Sequence, residues 1–193
     1  MARPVEYNRE EVVEKAMQTF WKKGYHATSI ADLVEATGLN PGSIYAAFKS
    51  KENFFITTID YYGEKGIIAV QRMLIESPSF LEGVRAFIQR IEEDVADPGS
   101  KRSCFLVNTL LELSSQSETA RQRVKRYLDL IENLIRHALE MAQQNGELSA
   151  MLDTASLAAF IMCTVWGLRV LGGTLPSRER TQMVTSHLLA MIG

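Results

Sequence analysis

The side chains able to do chemistry in this 193-residue chain fall into two sets. The first is the common inventory of catalysis and metal binding: His26, His137 and His187, with Cys104 and Cys163. They are far apart in sequence and show none of the short spacings that hold zinc. No phosphate-binding glycine loop and no nucleophile elbow occurs either, so no catalytic residue, metal or cofactor is expected. The second set is concentrated between Thr28 and Lys51. The hydroxyls of Thr28 and Ser29, the phenol of Tyr45 and the cations of Lys49 and Lys51 all suit phosphate oxygens. Between them lie Asn40, Pro41, Gly42 and Ser43, slim enough to let backbone approach a partner closely, followed by Ala46 and Ala47.

Helical periodicity positions these residues. Asn8 is a suitable cap for a helix over Arg9–Lys23, with Glu11 three residues on and Gly24 closing it. Thr28 or Ser29 caps a short second helix ended by Gly38. Asn40 caps a short third one, with Pro41 at its first position. Ser50 caps a long fourth helix, Lys51–Glu76, stopped before Pro78. Longer amphipathic helices follow near Ser79–Asp97, Ser103–Ser115, Glu118–Asn145, Thr154–Leu171 and Arg178–Met191. The fold class is all-α, about nine helices. Residues 1–50 read as one unit and residues 51–193 as a second.

Composition sets limits on function. The chain is 46% hydrophobic with a net charge of −2, which fits a soluble protein and excludes one that is basic throughout. Two cysteines are too few for a disulfide framework and fit a reducing cytoplasm. No signal core is visible, and the longest apolar stretch, Ala155–Leu171, contains Arg169 and reads as a buried helix.

Two short helices joined by "ATGLN" (Ala36–Asn40) have the spacing of a helix-turn-helix. Gly38 makes the sharp turn and Leu39 plugs the core. The second helix of such a pair lies in the DNA major groove. The run "AMQTFWKKGYHATSIADLVEATGLNPGSIYAAFKSKENFF" (Ala16–Phe55) goes further and resembles the TetR family of bacterial transcriptional repressors. That resemblance implies a homodimer on a palindromic operator, released when a small effector binds the C-terminal helices. It also implies phosphate contacts from Thr28, Tyr45 and Lys51 and base contacts from Gly42, Ser43 and Ala46. One departure is Ala47, where many relatives carry histidine or another aromatic; its loss leaves an apolar helix that could read thymine methyls. A protein-interaction module that has lost DNA binding and an enzyme on a helical bundle are the competing classes.

The last two helices carry Leu157, Ala158, Ile161, Val165 and Leu168, then Met183, His187 and Leu188. A helix apolar over more than one face is buried on several sides. In the resembling family these helices pair with a second copy, so these eight residues are the expected dimer contacts, with intrachain core as the alternative. An effector pocket would draw on Tyr61, Tyr62, Phe87, Cys104, Phe105, Asn108, Leu111, Met141, Met162 and Trp166, and its aromatic and methionine content suits an apolar or aromatic compound. Cys104 follows Lys101 and Arg102 at a helix start, a setting that favours thiolate. It reads either as a small core residue or as the reactive thiol of an electrophile-sensing branch, which commonly has glycine where Ser103 stands.

Overall fold

A computed structural model gives the architecture, and the structure describes residues 7–97, 104–113, 116–172, 174 and 177–193. The expected breaks within 98–103, 114–115, 173 and 175–176 therefore lie outside the described residues, as do Lys101, Arg102 and Ser103. Among the described residues there are nine helices: α1 (Arg9–Lys23), α2 (Ile30–Thr37), α3 (Pro41–Phe48), α4 (Lys51–Glu76), α5 (Phe80–Ala96), α6 (Phe105–Leu113), α7 (Glu118–Gln144), α8 (Thr154–Gly172) and α9 (Arg178–Ala190).

Local chemistry sets the helix starts. The Asn8 side chain accepts from the N–H groups of Glu10 and Glu11 at 3.0 and 3.3 Å. Ser29, not Thr28, caps α2 in a capping box with Asp32. Asn40 accepts from Ser43 N–H at 2.8 Å, and Ser50 from Asn53 N–H at 3.0 Å. Each such cap is worth about 1 kcal/mol. Gly38 ends α2 at φ +74°, a left-handed conformation that glycine adopts without penalty.

Packing then joins α1–α3 to the rest. Phe20, Leu33, Leu39, Ile44 and Phe48 form a cluster that runs on into Phe54 and Phe55 of α4 and Phe105 of α6. Phe48 stacks on Phe54 with centroids 3.7 Å apart, fixing the end of α3 against the start of α4. A second cluster joins α5, the C-terminal half of α7, α8 and α9. By length and hydropathy α8 could cross a bilayer. Here six of its residues, among them Leu157, Ile161 and Val165, enter this second core, and Arg169 pairs with Asp94 at 2.8 Å.

Where α4 crosses α7, Gly63 lies against the ring of Tyr127, and a Cβ there would meet the ring at 2.3–2.6 Å. Tyr127 cannot retreat, because its hydroxyl donates to Asp60 at 2.9 Å and the ring is buried. Overpacking of this kind costs about 1–3 kcal/mol or more. Gly63→Ala should therefore lower the melting temperature by about 5–10 °C in calorimetry.

Candidate DNA-binding face, effector cavity and outer apolar face

The α2–turn–α3 unit presents its slim end outward. Ser29, Asn40, Pro41, Gly42, Tyr45, Ala46 and Lys49 are exposed; Ser43 and Lys51 are half-buried. Tyr45, at 48% exposure, is a large aromatic on that surface. Lys51 Nζ sits 4.5 Å from the Tyr25 ring centroid, a cation–π contact that holds the ammonium at the start of α4. Two expectations are corrected. Thr28 is 1% exposed and its hydroxyl donates to the Gly24 carbonyl at 2.6 Å, so it ties off the end of α1 and is not offered to phosphate. Ala47 is half-buried and packs against the core beside α3, because it lies one residue round the helix from exposed Ala46. Of the two alanines, Ala46 is the exposed one.

Charge holds α2 against α1. Hydrogen bonds from Lys23 first, then from the Ser29 backbone N–H and hydroxyl, hold the Asp32 carboxyl well below the ordinary aspartate range. A depressed carboxyl stabilises the fold at neutral pH, and that contribution is lost as pH falls through the acid range. Lys49 follows α3 with φ +70° and ψ −42°, where a side chain is strained, and its ammonium donates to the Ala46 carbonyl at 3.0 Å. Lys49→Gly should raise stability by about 1 kcal/mol in chemical denaturation. It should weaken DNA affinity several-fold, since one cation leaves the face.

A cavity of about 730 Å³ opens between α1, α4, α5, α7 and α8, a size suited to a small molecule. Of the expected lining residues, Tyr61, Tyr62, Phe87, Cys104, Met162 and Trp166 face it. Four do not. Phe105 and Asn108 lie on the opposite side of α6, beside Trp21 and Phe55. Leu111 is 66% exposed, and Met141 is a half-buried residue away from the cavity. The Tyr62 hydroxyl donates to Cys104 Sγ at 3.8 Å, and burial first, then Cys104, pushes its pKa up. At the rim, Tyr61 donates to Glu14 at 3.1 Å and Lys65 pairs with Glu10 at 3.1 Å, linking α4 to α1.

The outer face of α8 and α9 is apolar. Phe160, Thr164, Met183, Val184, His187 and Met191 surround a shallow groove, with Cys163 exposed on the same side of α8. The expected dimer contacts Leu157, Ala158, Ile161, Val165 and Leu168, and Leu188 of α9, are buried within this chain. They occupy the inward stripe of their helices, although Leu188 also lines the floor of the outer groove. Met183 and His187 do lie on the outer face.

Residues 12–57 match the family described as bacterial regulatory proteins, tetR family. Residues 81–188 match the tetracyclin repressor-like C-terminal domain. The chain belongs to the TetR family. Among curated relatives, the HTH-type transcriptional repressor ComR of Escherichia coli (strain K12) is 28% identical over 98% of this chain and 90% of its own. A cysteine-substituted mutant of the TetR-family regulator CifR, solved with 26-bp double-strand operator DNA, superposes with a TM-score of 0.88. It is 28% identical and both chains are covered completely. The reduced form of E. coli NemR shares the fold at a TM-score of 0.88, with 19% identity over 96% of each chain.

This TetR-family chain is thus a DNA-binding transcriptional regulator, of a family that acts as dimers on double-stranded DNA with small-molecule ligands. The family is one of regulators, not enzymes. Several side chains that matter to the geometry carried no signal in the sequence. Glu112 of α6 accepts from the backbone N–H groups of Tyr25 and His26, both at 3.0 Å, and so clasps the α1–α2 turn. Asp94 and Arg169 meet across 75 residues. Phe160, Cys163 and Val184 mark the outer face. Only a heptad-like count along α8 could have separated Phe160 from Ile161, and both are apolar.

Proposed function

We propose that this chain is a cytoplasmic, ligand-responsive repressor that binds a palindromic operator as a homodimer. Residues 1–50 form its DNA-binding unit and residues 51–193 its regulatory unit. The observation that carries the reading is the exposed, slim N-terminal end of α3, flanked by Tyr45, Lys49 and Lys51. In the groove, Gly42, Ser43 and Ala46 approach base edges, with Asn40 and Pro41 fixing where the helix enters. Ser29, Tyr45, Lys49 and Lys51 hold phosphates and set register. Thr28 acts from beneath, by tying α1 to the start of α2. The E. coli relative is a repressor, and the CifR neighbour was solved on operator DNA, which supports this assignment.

Two copies meet through the outer faces of α8 and α9. Apolar groups such as Phe160, Met183 and Met191 there leave water on association. The cavity takes the effector, and α6 passes its effect to DNA. Cys104 stands next to the first residue of α6 at the cavity wall, and Glu112 grips the α1–α2 turn from the helix's last turn. Footprinting on the chain's own upstream promoter should show two protected half-sites about one helical turn apart. Absence of protection on that promoter and on random genomic fragments would contradict the reading.

A second effector chemistry is favoured by the position of Cys104, half-buried and facing the cavity beside Tyr62. An activated alkene entering there would take Sγ on its β-carbon, the C=C π bond breaking and the thiol proton ending, by way of solvent, on the α-carbon. Intact-mass analysis after mild N-ethylmaleimide treatment should show one adduct fewer in Cys104→Ser than in the parent chain, the exposed Cys163 reacting in both; an unmodified Cys104 would exclude this route.

A further inference from the structure

We infer that the cavity's ligand is an organic acid, an apolar body carrying a carboxylate that pairs with Arg169. This rests on the effector reading of the cavity and assigns its chemistry. Met162, Val165, Trp166 and Arg169 follow one another along the α8 wall, three apolar bodies and then a guanidinium only 17% exposed. Across from it, Phe87, Ile91 and Asp94 line the α5 wall at the spacing of one helix face. The α5 and α8 walls are therefore greasy along most of their length and charged at one end.

The charge at that end is incompletely matched. Arg169 Nη2 donates to Asp94 Oδ2 at 2.8 Å, and the other oxygen of the same carboxylate takes Arg90 Nη2 at 3.0 Å. One carboxylate thus serves two guanidiniums, while the other partner of Arg90, Glu93 at 3.8 Å, is exposed and off the cavity. A guanidinium presents five N–H donors in a fork that fits two carboxylate oxygens. Arg169 has one carboxylate oxygen at hydrogen-bond distance from Asp94 and room for a second acceptor. Tyr62, near enough to Arg169 for the two to influence each other's charge, adds a hydroxyl; the buried Trp166 N–H has no hydrogen-bond partner among the described residues. A carboxylate offers Arg169 a charged acceptor, whereas a neutral hydroxyl offers only a weaker one.

The test is calorimetric titration of the full chain with matched pairs, hexanoate against 1-hexanol and 3-phenylpropanoate against 3-phenylpropanol, at neutral pH. The acids should bind about tenfold or more tightly than the alcohols, as a charge-assisted pair predicts. Arg169→Gln should abolish that preference and leave alcohol affinity unchanged. Asp94→Asn, which removes the competing carboxylate, should tighten acid binding several-fold. These opposite shifts would not arise from a merely structural ion pair. Equal affinity of acid and alcohol, an acid preference that survives Arg169→Gln, or no binding of either acid would overturn the inference. The same titrations on the operator complex separate it from the effector reading. Alcohols that bind equally and release DNA refute the organic acid and keep the effector, while an acid that binds through Arg169 without releasing DNA does the reverse.

Discussion

Ala46→Glu should reduce affinity for the specific operator by about 100-fold or more while leaving the melting temperature unchanged. Ala46 is exposed on α3 and makes no core contact that its replacement would break. A carboxylate there enters the groove between phosphates, which compete with it for the Lys49 ammonium. Desolvating an unpaired charge against a polyanion costs several kcal/mol, and a mismatched base contact alone costs about 1–3 kcal/mol. Lys51→Ala provides the contrast. It should weaken specific and random duplexes alike and lower the slope of log affinity against log salt by about one, since one phosphate contact goes. Anisotropy titrations on both duplexes read both effects.

Glu112→Ala should weaken operator binding about tenfold or more, although Glu112 lies on α6, outside the DNA-facing surface. Its carboxylate holds the Tyr25 and His26 N–H groups at 3.0 Å each, and Gly24 leaves room for it. A Cβ on Gly24 would meet the two carboxylate oxygens at 3.0 and 3.1 Å, and its φ of +83° already demands glycine. Hydrogen bonds to a charged acceptor contribute about 1.5–3 kcal/mol. Without the clasp, the turn that leads into Ser29 and α2 is free to shift. Glu112→Gln keeps one acceptor oxygen and should fall between. Amide exchange at Tyr25 and His26 checks the cause, because both amides should lose protection in Glu112→Ala while α3 amides keep theirs.

The DNA-binding half was legible because its structure is set by neighbours in sequence. Asn8, Ser29, Asn40 and Ser50 act within three residues, Pro41 fixes one φ and Gly38 another, so composition and order suffice. The regulatory half is set by partners 40–90 residues away, such as Tyr62 with Cys104, Asp94 with Arg169 and Glu112 with Tyr25. No periodicity reports those pairings. On α8 the sequence is apolar on all sides, so it marks the helix as sandwiched without saying which stripe faces which neighbour. Ile161 and Val165 proved to face this chain's own core, and Phe160 the outside. Thr28 shows the same limit on a smaller scale, since a hydroxyl beside a helix start reads as available until the Gly24 carbonyl is seen to hold it.

The central claim, that α3 reads DNA, is tested most directly by titrating one labelled duplex from the chain's own upstream promoter against a scrambled duplex, over a range of salt. The account predicts binding to the promoter at least about 1,000-fold tighter than to the scrambled duplex, with both affinities falling steeply as salt rises. In Ala46→Glu that ratio should collapse. Equal affinity for the two duplexes, or a promoter preference that Ala46→Glu leaves intact, would contradict it.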